Sequence, residues 1–294
     1  MSVKSSKILV PIGFSEQSII ALDQACCFAK LDNSKLFLLS VIEERSTMEN
    51  LFLDDNSHEL KKKVHDRLEE LSDEFSKKYN IEIEIMVSQG KIYNQINDAA
   101  EMIDSDLIIM GSTGSPKGRI KRFIGSNAER VVRLSKCPVM TIKGSTIKDS
   151  CKNIILPLDT EKETKEKVTY AIRYARAWGA TIHLVSIILK QNSVERKKLE
   201  LNLDQVLNFV KNAGILCTSN LIEGDKKQNV GDFIFDFQKK FDDDIFMIMT
   251  KKEELSLSKN ISVTARYIIN NSPIPVMNIR PKERKHITGP TTAF

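Results

Sequence analysis

At 294 residues, 41% hydrophobic and 28% charged, the chain has a soluble globular composition and room for two domains that each bury a core. Its formal net charge of +5, from 44 basic and 39 acidic residues, falls short of the clustered basic face that nucleic-acid binding demands. No apolar run reaches bilayer-spanning length, and the N-terminus passes from a short polar lead straight into a strand-like run, so neither a membrane role nor a secretory signal is expected. Five cysteines without paired spacing fit a reducing compartment and a cytoplasmic protein, with the adjacent Cys26 and Cys27 as buried thiols.

In chain order, the first half offers strands at Ile8–Ile12, Lys35–Ile42, Ile81–Ser88, Asp106–Met110 and Val139–Lys143. Helical periodicity lies between them. Ile19, Leu22, Cys26 and Ala29 share one face behind an N-cap at Ser15. Leu60, Val64, Leu68, Leu71 and Phe75 form a second stripe, and Ile92, Ile96, Ala99 and Ile103 a third.

The second half repeats this plan. KILVPIGF from Lys7 returns as NIILPLDT from Asn153, and CPVMTIK from Cys137 returns as IPVMNIR from Ile274. Between these bookends stand helical stripes at Val168, Ala171, Ile172, Ala175 and Trp178, at Leu199, Leu203, Val206 and Val210, and at Val230, Ile234, Phe237 and Phe241. The expected class is α/β, with two tandem doubly wound parallel-sheet domains of five main strands each, residues 1–145 and 146–281, then a polar tail 282–294. Such sheets take ligands beyond the carboxyl ends of the strands, where strand order reverses.

The fourth strand runs into MGSTGSPKGRIKRFIGSNAERVVRL, from Met110. Gly111 and Gly114 follow it directly, Lys117, Arg119, Lys121 and Arg122 come next, and Gly125 and Ser126 stand at the start of a helix. Glycines let a ligand approach the main chain, and a helix N-terminus offers unpaired N–H groups to an anion. The same residues also fit a plain glycine turn before a Ser-capped helix. Neither a Walker A loop nor a dinucleotide fingerprint is present.

VPIGFSEQSIIAL after the first strand, VSQGKIYNQI at the third, and DLIIMGSTG, GSNAERV and CPVM together resemble the universal stress protein family over nearly all of residues 7–143 and, more weakly, 153–281. The resemblance implies an ATP or AMP site built on G-x2-G-x9-G-[ST]. Gly111, Gly114, Gly125 and Ser126 would then hold phosphates and ribose, Pro11, Ile12 and Val41 would border the adenine, Asn127 would offer its backbone N–H, and Gly13 and Met110 would complete the lining. ATP, unlike AMP, would bring Mg²⁺ with it. It also implies an intrachain pseudo-dimer through the last strands, with a homodimer and an unidentified protein partner as further associations.

Two departures stand out: ten residues rather than nine separate Gly114 from Gly125, and Gly13 occupies the place of the family's Asp. The second half keeps that Asp as Asp159 but has no glycine in Asp244–Ile268. The four histidines are scattered, and no metal-binding, nucleophile-elbow or other catalytic arrangement is recognisable. Three readings stay open: a nucleotide-binding stress sensor or regulator, a scaffold whose nucleotide site has decayed, and, at most, a weak ATPase.

Overall fold

A computed structural model describes residues 6–43, 57–112, 124–144, 149–159, 164–189, 193–225, 227–242, 244–250 and 263–280. Five strands come from the first half: β1 (Lys7–Pro11), β2 (Lys35–Ile42), β3 (Ile83–Gln89), β4 (Leu107–Gly111) and β5 (Val139–Ile142). The second half supplies β6 (Asn153–Pro157), β7 (Thr181–Ile188), β8 (Cys217–Glu223), β9 (Asp244–Met249) and β10 (Val276–Ile279). The described helices are α1 (Glu16–Asp32), α2 (Ser57–Tyr79), α3 (Ile92–Met102), α4 (Ser126–Leu134), α5 (Thr164–Trp178), α6 (Ser193–Asn212), α7 (Val230–Gln238) and α8 (Val263–Asn271).

The ten described strands join one sheet in the order β3-β2-β1-β4-β5-β10-β9-β6-β7-β8. Pairing within each half is parallel, and the seam between β5 and β10 is antiparallel, with Met140 opposite Met277. Helices cover both faces, so strands such as Lys7–Pro11 are apolar almost without interruption. Ile8, Val10 and Ile12 pack with Leu22, Leu68, Ala171 and Leu203 on one face. Leu9, Ile108 and Met110 pack with Ile96, Val131, Ile234 and Ile268 on the other.

Each of these two cores runs across the seam. On one face Phe28 of α1 stacks on Trp178 of α5 with centroids 4.9 Å apart. Beside that pair, Arg173 bonds Asp106 and the Tyr174 hydroxyl donates to the Asp106 carbonyl at 3.1 Å. On the other face Arg266 pairs with Glu129 at 3.1 Å, and Arg280 donates to the Leu134 carbonyl at 2.7 Å. The partly exposed ion pairs contribute little by themselves. The buried aromatic stack and the sheet seam carry most of the join.

Several sequence expectations shift in detail. Ser15 caps α1, its hydroxyl accepting from the Ser18 amide at 3.3 Å. Leu60 is 43% exposed, so the α2 core stripe begins in practice at Val64. Ile81 precedes β3, and Phe241 lies past the end of α7, where its ring stacks on His183. Cys26 and Cys27 are buried free thiols, and burial pushes Cys27 up to about 11, which suppresses its thiolate. No described helix is long and apolar enough to cross a membrane.

Candidate functional site

Strand order reverses between β1 and β4, which lie side by side in the sheet. The chain leaves β1 for α1 on one face and returns from beyond β4 to α4 on the other. The crevice that this divergence opens holds a cavity of about 730 Å³. That volume is in the range of small-molecule sites.

Every sequence-predicted site residue except Gly114 lines this cavity: Pro11 at the end of β1 with Ile12 and Gly13 just after it, Val41 on β2, Met110 and Gly111 on β4, and Gly125, Ser126 and Asn127 at α4. Gly114 and the basic stretch from Lys117 to Arg122 lie outside the described residues. Leu39, Ile92 and Ile96 extend the lining as an apolar wall. None of the described lining side chains ionises near neutral pH.

The polar end of the cavity is the start of α4. Gly125, not Ser126, is the N-cap, with φ −65° and ψ 150° and no side chain to bond the helix. The Ser-capped alternative is therefore corrected: Ser126 is already the first helical residue. The Gly125 amide is engaged with the Ser112 carbonyl at 2.7 Å, and the Glu129 amide bonds the Gly125 carbonyl at 2.9 Å. Between them lie the amides of Ser126, Asn127 and Ala128, the first-turn N–H groups that a helix cannot satisfy internally. They carry the positive end of the helix dipole at the cavity wall.

Two further residues shape this end, and pattern reading gave no signal for either. Ser112 is 2% exposed, yet its hydroxyl has no hydrogen-bond partner among the described residues. A buried donor left open at a cavity wall is costly unless something polar meets it. Gln17 packs under Gly111 so closely that a Cβ there would fall 2.9 Å from Gln17 Cγ and 3.0 Å from its carbonyl oxygen. Glycine is required at position 111 by this close approach and not by backbone strain.

The second half departs at the matching places. The paired registers put Met249 where β4 has Gly111, and Thr250 where Ser112 stands. The Thr250 hydroxyl is satisfied by the Ile279 carbonyl at 3.3 Å. Lys167, buried on α5, donates to the carbonyl of Pro157 at the end of β6. The loop after β9, with Lys251, Lys252, Glu253 and Glu254, lies outside the described residues. Elsewhere, His65, Asp66 and Glu69 gather on α2 as an exposed cluster in which His65 already faces Glu69 at 3.7 Å.

Comparison with known proteins fits this geometry. The sequence profile of the Universal stress protein family matches residues 4–143. The universal stress protein MJ0577 of Methanocaldococcus jannaschii is 30% identical over 160 residues, a match that spans 98% of that protein and 49% of this chain. This chain belongs to the universal stress protein family. The universal stress protein YxiE of Bacillus subtilis is also similar, at 29% identity over 148 residues and 99% of its length. A universal stress protein of Archaeoglobus fulgidus DSM 4304 shares the fold with a TM-score of 0.77 at 20% identity, covering 95% of this chain and 100% of that one. The tandem arrangement thus has a full-length structural counterpart.

Proposed function

We propose that the chain is a stress-response regulator that binds an adenine nucleotide, ATP or AMP, in its first half. The observation that carries this reading is the uncapped first turn of α4 opening on the cavity beside the buried, unpartnered Ser112 hydroxyl. These groups suit an anionic phosphate, which accepts from all of them. The apolar wall of Ile12, Leu39, Val41, Ile92 and Met110 suits a flat, uncharged ring. Residues 1–145 and 146–281 act as two domains of an intrachain pseudo-dimer, with only the first holding nucleotide.

With ATP, Mg²⁺ would be carried in by the phosphates, because the described lining supplies no carboxylate to it. A scaffold function with a decayed site is the second reading, favoured by Gly13 in place of the family's Asp. The test is calorimetric titration of ATP and AMP into the wild type and into Val41→Trp. Val41 is only half-buried, so an indole there fills the ring end of the cavity without entering the core. Micromolar or tighter binding that disappears in a folded Val41→Trp supports the nucleotide reading. Heat-silent wild type would shift the function to the scaffold.

A further inference from the structure

Across the seam, one side chain of the second half reaches the rim of the first half's cavity. Asn270, buried on α8, accepts the Ile124 backbone N–H on Oδ1 at 2.8 Å. The amide orientation is unambiguous, because a backbone N–H is only a donor and the oxygen must face it. Ile124 itself lines the cavity and directly precedes Gly125, the N-cap of α4. The carbonyl of Asn270 in turn accepts the Lys143 amine, beyond the end of β5. A single residue of the second half therefore holds both the entry to α4 and the exit from β5.

The matching side chain of the first half is of a different kind. α4 and α8 are both nine residues long, so the position matching Asn270 on α4 is Arg133. A guanidinium has donors and no acceptor, so the Arg133 side chain cannot accept a backbone N–H as Asn270 does. The half with the open Ser112 and the uncapped helix receives the support of Asn270.

We propose that Asn270 is a positioning residue for the anion site: the second half, unsuited to holding a phosphate itself, completes the phosphate end of the first half's site by fixing Ile124 and hence the first turn of α4. This rests on the nucleotide reading above. It makes the seam a route by which any partner or strain acting on α8 changes phosphate affinity. The ring end of the cavity, formed by β1, β2 and α3 residues, does not depend on it.

The test compares wild type with Asn270→Ala in the full chain, titrated separately with ATP and with adenosine, which has the ring and sugar but no phosphate. ATP affinity is expected to fall about tenfold, in line with a part-buried N–H left without its acceptor, while adenosine affinity stays within about twofold. Hydrogen–deuterium exchange of a peptide containing Ile124 supplies a readout independent of any ligand. Exchange is expected to accelerate in Asn270→Ala and to stay at the wild-type rate in Asn270→Asp, which keeps an acceptor oxygen. Equal loss of both ligands, or no loss of ATP, overturns the positioning role. If wild type binds neither ligand, the nucleotide reading falls, and exchange alone decides: faster in Ala and rescued in Asp keeps the tie, unchanged in Ala removes it.

Discussion

Restoring a carboxylate at position 13 probes the crevice from its unusual side. A Cβ built on Gly13 meets no heavy atom within 4 Å, and its φ is outside the left-handed range. Gly13→Asp should therefore fold without strain, and losing glycine's freedom in the unfolded chain contributes roughly 0.4–1 kcal/mol of stability. The matching residue of the second half, Asp159, is exposed after β6, so an aspartate is accommodated at this point of the fold. A charged acceptor meeting a sugar hydroxyl is worth about 1.5–3 kcal/mol, or roughly one to two decades of affinity. The same charge repels phosphates, by about 0.5–2 kcal/mol per charge at about 8 Å between water-like and surface-like dielectrics. Adenosine should thus gain about one to two decades, AMP less, and ATP least. Calorimetry with the three ligands, alongside a thermal melt, reads this out. A variant that melts at or above the wild type but binds adenosine no better would show that the sugar does not lie near residue 13.

Other predictions test the seam and the second half. Trp178→Ala removes the ring between Phe28 and Tyr174, with centroids at 4.9 and 4.8 Å, and should cost about 3–5 kcal/mol by urea unfolding followed by circular dichroism. A loss below about 1 kcal/mol would mean that the two halves do not share a core there. His183 is buried between Thr218 Oγ1 at 2.8 Å and Asn153 Oδ1 at 2.9 Å, under the Phe241 ring, and burial lowers its pKa. Since its folded pKa lies below the unfolded value near 6.5, its contribution is complete above about pH 6.5 and declines as pH falls from there towards the folded pKa. The urea midpoint should drop between pH 7.5 and 5.5, and His183→Gln should shrink that drop; an identical drop in the variant would assign it to other groups.

Much of the architecture was legible because burial leaves a period in the sequence. The runs Lys35–Ile42 and Val139–Ile142 lie between helices on both faces, so each is apolar along nearly its whole length. The repeated prolines at 11 and 157 mark the ends of the two matching first strands. Of the cavity walls, Gly111, Gly125 and Ser126 stood out in the glycine pattern after β4, whereas Pro11, Ile12, Val41 and Asn127 were expected only from the family resemblance. What periodicity cannot show is which polar groups meet at long range. Asn270 and Ile124 are 146 residues apart, and Asp106 and Tyr174 are 68 apart. Ser112 carries no pattern of its own, because its importance lies in a hydroxyl left open by the fold around it. The cap was misplaced for a related reason. Serine is a favoured N-cap in general, yet Gly125 takes the extended conformation there and Ser126 begins the helix. Leu60 and Phe241 show the limit of helical stripes at their ends, where the periodic pattern outlasts the packed face or the helix.

The most direct test of the account is the small-molecule content of the purified full chain. Denaturation should release one adenine nucleotide per chain, identified by mass, and Val41→Trp should release none while remaining folded. Wild-type protein that releases no nucleotide, and gives no heat on titration with either ATP or AMP, would contradict the account.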